Sequence, residues 1–421
     1  MMTAEAQERL KVKTKRIYDA LDHKEPDRVP AKVGGDIFAV MDAGYTVKEC
    51  IYDTTLEKAK DAAMKYVLKY DTDFAPMLIT YAGEGQLMEK IDPYFMAWSG
   101  RAGYNVPDNS IQQFMERPPL HDEDIDQFFD NNGAWRLNKC QPNLCGLYEP
   151  MRKFNIPFSS RTPSALAMEF SKPEMRKMIQ TCWEIADGYA ELNEKKKKVM
   201  GEIAELGFPR IGGGKAAVPY DEWGDEFRGS LDCLTDLYEN EDAVMRFIEA
   251  NQEEMIYKIK HKFNPDGKND GKTVNMTLHR GMDGFLSEEY YDKIYWKHLQ
   301  EIIEAIMSVN MIPEVFCEGH YETRLDRLKD IPKGRIIYTF EYTPLDLAKS
   351  KLGDVATICG GIHAGDLLFK KPEEISDAVK RYIDIFAGGG GYIFRTSASL
   401  DFQPKANIEA MFDTLHTYGK K

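Results

Sequence analysis

A chain of 421 residues with a formal net charge of −14 at neutral pH is a poor partner for nucleic acid, whose phosphates call for a basic surface. No apolar run approaches the roughly 20 residues that cross a bilayer, and residues 1–10 are polar and hold no apolar signal core; no membrane association and a cytoplasmic location are expected. At 43% hydrophobic and 29% charged, the composition leaves ample material for one large barrel with insertions or for two domains, and its seven irregularly spaced cysteines read as free thiols.

The chain opens with a helical pattern over about 5–21, in which Leu10, Ile17, Ala20 and Leu21 recur between charged positions. Pro26 and Pro30 break it and open a strand at 29–33, ended by Gly34, Gly35 and Asp36, the expected first strand of a barrel. A helix over 55–69 and a second strand over 70–79 follow. From about 80 to 163 the sequence turns irregular and rich in Pro, Gly, Asn and aromatics. A stretch of that length reads as an insertion over the barrel mouth, kept ordered by Phe95, Trp98, Tyr104, Phe114 and Trp135. Ser171, Lys172 and Pro173 then open a long helix to about 206 in the manner of a cap with Pro just inside. Its run Lys195 to Lys198 reads as a solvated face. Gly212, Gly213 and Gly214 match neither phosphate-binding fingerprint and read as a flexible loop.

Between 273 and 411 one arrangement recurs. A short apolar run ends in polar or ionisable residues and a helix-like segment follows, at 273–280, 312–318, 335–341, 355–359 and 392–396. Strands alternating with helices imply a parallel sheet buried on both faces. Functional groups at successive strand ends imply a (β/α) barrel with its site at the mouth.

Side chains alternate along a strand, so Phe316 and Glu318 share one face and Cys317 takes the other. A carboxylate ending an apolar strand is costly to bury unless paired, protonated or bound to a metal. Glu318 therefore either neutralises an arginine such as Arg280 or Arg395, or serves as an acid or ligand. His279 suits a zinc ion or a proton shuttle as well as a structural role. Glu341 is open to the same two readings, and Cys359 to those of a thiolate or a buried core residue. There is no HExxH, no paired CxxC and no Gly-x-Ser-x-Gly elbow, which removes the zincin and serine-hydrolase readings.

The stretch 16–30, with Arg16, Asp27, Arg28, Val29 and Pro30, resembles the opening helix and first strand of the uroporphyrinogen decarboxylase superfamily, which also contains corrinoid-dependent methyltransferases. Residues 361–368, 372–375, 388–394 and 407–411 resemble its C-terminal part, and 219–229 a subgroup signature. The likeness spans nearly the whole chain apart from the insertion. It implies one distorted (β/α)8 TIM-type barrel domain over 1–421. Two departures matter. Gly34 to Met41 stand where the decarboxylases carry an arginine-bearing loop for porphyrinogen carboxylates. Phe316 and Glu318 stand where zinc-dependent methyltransferases carry His-x-Cys, with Ser397 near the later cysteine.

What the resemblance implies is methyl transfer from a small donor, an O-methylated aromatic fitting best, to a cobalamin carried by a partner corrinoid protein. Glu318, His279 and Glu341 are the expected catalytic residues, with Glu318, His279 and Cys359 as the expected ligands of a zinc ion. Arg280 and Arg228 are expected to hold a ring carboxylate. Tyr81, with Phe95, Trp98 and Tyr104, is expected to wall the ring. The superfamily's decarboxylases imply a homodimer. Two alternatives stay open: a decarboxylase of a non-porphyrin acid, using Glu318 and Arg280, and a barrel that only binds a ligand.

Overall fold

In the computed structural model, residues 2–155 and 163–420 are described; the end of the expected insertion, 156–162, lies outside them. Six parallel strands form one sheet in chain order: β1 (Gly212–Lys215), β2 (Thr273–Leu278), β3 (Ile312–Cys317), β4 (Ile337–Phe340), β5 (Thr357–Gly360) and β6 (Tyr392–Phe394). Two irregular segments close it. Residues 29–33 pair with β6 through the parallel bridge Ala31 to Phe394 and the bonds Lys32 N–H to Phe394 O and Phe394 N–H to Pro30 O. Residues 72–76 link that segment to the start of β1, through Asp73 N–H to Ala31 O and Ala75 N–H to Pro209 O. The ring thus has eight staves, two of them too bent for a regular ladder.

The third stave is a correction to the sequence reading. Gly212, Gly213 and Gly214 are a strand paired with β2, not a loop. Glycine is needed there because a Cβ on Gly213 would stand 2.8 Å from Met311 Cε and 2.9 Å from Lys272 Cβ. The side chains of neighbouring segments take the space a Cβ would fill, and a strand of glycines is hidden from any apolar pattern.

Alternation along the staves builds two layers. Outward-facing Val274, Met276, Leu278, Val315, Cys317, Tyr338 and Ile358 are buried against α-helices that include α5 (Glu241–Lys258) and α6 (Lys297–Ser308). Val29, Ala31, Val33, Tyr392 and Phe394 pack on α7 (Pro372–Phe386) and α8 (Lys405–Thr417). In α7 the buried Ile375, Ala378, Val379, Ile383 and Phe386 recur at helical spacing and form one stripe, and Pro372 starts the helix where its missing N–H costs nothing. Each fully buried side chain of this size contributes about 1.5–3 kcal/mol. The bottom of the lumen is plugged by Ile211, Ile312, Ile337, Cys359 and Ile393, with Ile17, Ala20 and Leu21 of α1 (Ala4–Leu21) beneath them.

The insertion forms a satellite. Helix α4 (Pro173–Ala204) buries Leu192, Val199 and Ile203 against a cluster that includes Trp98, Met88 and Leu56. α2 (Asp36–Asp42) and α3 (Glu57–Tyr70) join it to the first two staves. Among the described residues no helix is long and apolar enough to cross a membrane.

Candidate active site at the barrel mouth

Pro219 opens a helical turn, Pro219–Glu222, that widens into a π-type turn over Trp223–Arg228. Asp221 and Asp225, four residues apart, therefore project from one side of it, over the end of β2. Asp221 is fully buried and accepts the backbone N–H groups of His279 (3.2 Å) and Arg280 (2.8 Å) and the Tyr295 hydroxyl (2.5 Å). Burial pushes its carboxyl up to about 6, against the pull of those donors and of the imidazole. Asp225 holds His279 Nδ1 at 2.6 Å and Arg280 Nη1 at 2.5 Å. Between them Gly224 has no alternative, since a Cβ there would lie 2.3 Å from the Arg280 guanidinium.

This fixes the imidazole. With Nδ1 on Asp225, its Nε2 faces Glu318 Oε2 at 3.5 Å across the gap from β2 to β3, and both side chains are partly open to solvent. The hydrogen bond to Asp225 raises the His279 pKa above its ordinary value near 6.5, with burial opposing and Asp221 and Glu318 adding. Burial raises the Glu318 carboxyl, opposed by His279 and reinforced by Glu341 and Asp225. The expected ion pair of Glu318 with Arg280 or Arg395 is absent among the described residues, and histidine takes its place. Glu341 Oε2 accepts the Gly319 N–H at 2.9 Å, so it pins the turn that carries Glu318. A carboxylate, an oriented imidazole and a second carboxyl with raised pKa can together store and deliver a proton at an open mouth.

Other expected roles are corrected. Arg228 is buried and bonded to Asp236 (2.8 Å from Nε and from Nη2), to Leu120 O (2.7 Å) and to Asp122; it fastens the insertion to the barrel. Arg280 faces outward, one residue out of phase with His279, and is buried under the Asp221–Asp225 turn. Tyr81 packs in the satellite cluster beside Trp98, Phe95 and Tyr189, and Arg101 lies over the Trp98 and Tyr104 rings, so these aromatics form the insertion's own core. The zinc set is not assembled. In the strand register Cys359 is level with Thr339, Phe316 and Thr277, one inward-facing step below His279 and Glu318, where it belongs to the plug. Burial raises its thiol pKa, which disfavours a thiolate. Among the described residues no group of three or more His, Cys, Asp or Glu side chains converges as a metal site. The residues present do not fit zinc.

Sequence reading missed the lumen itself. A cavity of about 360 Å³ runs from the barrel interior toward α2 and α3, and its polar lining is Lys32, Asp36, Asn275, Glu314, Arg395 and Ser399. Lys32 bonds Glu314, which sits inside the barrel at 4% exposure; burial works against its charge, but Lys32 and Arg395 hold its pKa below the ordinary value. Asp36 is bonded by Ser399 and by the Leu400 backbone, and burial raises its carboxyl pKa. His279 and Glu318 do not line this cavity. The period-2 alternation that assigned Glu318 would also have placed Lys32 and Arg395 inward.

Asp225→Asn is expected to lower the His279 pKa, followed by NMR titration of the imidazole; an unchanged value would mean that the aspartate does not hold the ring. A raised imidazole pKa adds stability that is complete below the unfolded value and is lost as pH rises through the folded one. The lowered Asp225 pKa adds stability that is complete above its unfolded value and is lost as pH falls. The pair thus stabilises most between the ordinary carboxylate range and about pH 6.5, and Asp225→Asn should flatten the stability profile there.

Eight staves with ionisable groups gathered beyond their C-terminal ends define a (β/α)8 barrel built like an enzyme. Residues 224–418 match the uroporphyrinogen decarboxylase (URO-D) family model. That stretch holds β2 to β6 and both members of the His279–Glu318 pair, and it is similar to the uroporphyrinogen decarboxylase family, as the sequence resemblance implies. Among solved structures, a methyltransferase from Methanosarcina mazei is similar at 13% identity with a TM-score of 0.56, over 97% of this chain and 98% of that one; the likeness is one of fold. No curated protein matches the chain.

Proposed function

We propose that the chain is a methyltransferase that moves a methyl group from a small donor, an O-methylated aromatic in the first instance, to the Co(I) corrinoid of a partner protein. The observation that carries this reading is the row Asp225, His279, Glu318 at the open mouth, inside the family-matched stretch. The fold shared with a methyltransferase supports it. The reduced corrinoid supplies the nucleophile for the methyl carbon. As the C–O bond breaks, its electron pair passes to the oxygen, which takes the proton of Glu318. His279, oriented by Asp225, lies next to Glu318 and returns the proton from solvent. Such a donor group is worth most in the transition state, where the oxygen charge develops.

The test is to follow conversion of Co(I) to methyl-Co(III) on a corrinoid protein with methoxylated aromatics and methylamines as donors. Methyl-cobalt formed from one donor class supports the reading; a flat response across the panel removes it. A second reading, a decarboxylase of a non-porphyrin acid, is favoured by Asp36, a carboxyl kept inclined to hold its proton inside the cavity and therefore able to protonate a carbanion. Carbon dioxide released without methyl-cobalt would establish it.

A further inference from the structure

The lumen holds one cation without an ion pair among the described residues, on which Asp36 and Glu314 act only at longer range. Lys32 and Glu314 neutralise each other. Arg395 projects inward from the end of β6, and its guanidinium lies 5.2 Å from the centroid of the Phe316 ring. Among the described residues no carboxylate is within ion-pair distance of it, and it is only half-buried, so its donors open into the cavity it lines. The Asn275 amide also lines the cavity and has no hydrogen-bond partner among the described residues. Asp36, the other carboxyl in the lining, is already bonded by Ser399 and the Leu400 backbone. A cation in a confined, partly desolvated space calls for an anion.

The rest of the cavity is apolar and narrow. It passes between α2 and α3 along Ala39, Ala59, Ala62 and Ala63, where larger side chains would close it, and is bounded by Val40 and Met77. At about 360 Å³ it is at the small end of small-molecule sites.

We infer that this cavity binds a small monocarboxylate with an apolar body, its carboxylate held by Arg395 and Asn275 and its body lying along the alanine face. Phe316, whose ring Arg395 meets, is one inward-facing step below Glu318 on the same stave, while Glu318 and His279 themselves do not line the cavity. The lumen thereby has a ligand class of its own, beyond the proposed methyl transfer, whose acid Glu318 stands at the mouth.

Binding of benzoate and of its neutral isostere benzamide is measured by calorimetry on the full chain alone, without corrinoid. Benzoate is expected to bind about 10- to 100-fold more tightly than benzamide, the range for hydrogen bonds to a charged group. Arg395→Gln should erase that preference, and Arg395→Lys should retain part of it. Ala62→Leu should weaken both ligands by blocking the slot. Equal affinities, no binding of either, or a preference that survives Arg395→Gln would each overturn the site. Since no methyl transfer enters the measurement, benzoate binding with no turnover removes the methyltransferase reading alone. Turnover of neutral donors without benzoate binding removes the carboxylate site alone.

Discussion

Glu318→Gln is expected to lower the rate of methyl-cobalt formation by about 10²- to 10⁴-fold, the usual worth of a positioned general acid. Glutamine keeps the shape and the contact with His279 but has no proton to give to a leaving oxygen. Because the missing interaction is made in the transition state, kcat should fall and KM should move little. The pH profile carries a second signature. Burial, with Glu341 and Asp225 nearby, raises the Glu318 pKa, so the wild-type rate should fall as pH rises through that value. The variant should lose this limb and keep only the titration of His279. His279→Gln should remove part of the rate while leaving the Glu318 limb in place, displaced upward because a positive neighbour that favours the carboxylate is gone. A Glu318→Gln enzyme within threefold of wild type would mean that the oxygen leaves without an acid, and the role of the row would pass to binding.

The barrel was legible where its physics is local. Five strands in the C-terminal half announce themselves as apolar runs, and their ends carry His279, Glu318 and Glu341, which alternation correctly brings to one side of the mouth. The third stave was not legible, because Gly212, Gly213 and Gly214 have no side chains with which to signal burial, and their pairing with β2 depends on a neighbour some 60 residues away. Arg228 and Arg280 illustrate the other failure. A sequence shows a cation but not its partners, and both cations are held by carboxylates brought from other parts of the chain, Asp236 and Asp122 for one, Asp225 for the other. Arg395 looked like a counter-ion for Glu318, but histidine occupies that place and the arginine turns into the cavity. The zinc set failed on depth. Cys359 faces inward, as its parity requires, but one step too low on the stave.

Asp73→Asn should cost about 3–5 kcal/mol of unfolding free energy, the range for removing one partner from a buried ion pair. Asp73 is wholly buried on the second stave and accepts Arg16 Nη1 at 2.5 Å, Arg28 Nη1 at 2.9 Å and Nη2 at 3.0 Å, and the Ala31 N–H at 2.7 Å, with Lys13 Nζ at 3.4 Å. Three cations from α1 and the first stave thus converge on one carboxylate, which ties together the two segments that close the barrel without a regular ladder. Arg28 and Lys13 are about as buried as their partner, each at 4% side-chain exposure, and their other polar contacts are with Asp71, which is half exposed, and with the Thr72 and Val29 carbonyls. An amide at position 73 keeps the volume but offers the guanidinium groups one oxygen and a donor that repels them. The comparison that separates this from a general effect of lost charge is Asp354→Asn. That carboxylate meets Lys329 at 3.1 Å with both side chains well exposed, and pairs of this kind contribute little to stability. Urea unfolding of the two variants should therefore differ by several kcal/mol. Equal, small losses would show that the staves close by backbone bonding and packing alone, with the aspartate no more than a passenger between them.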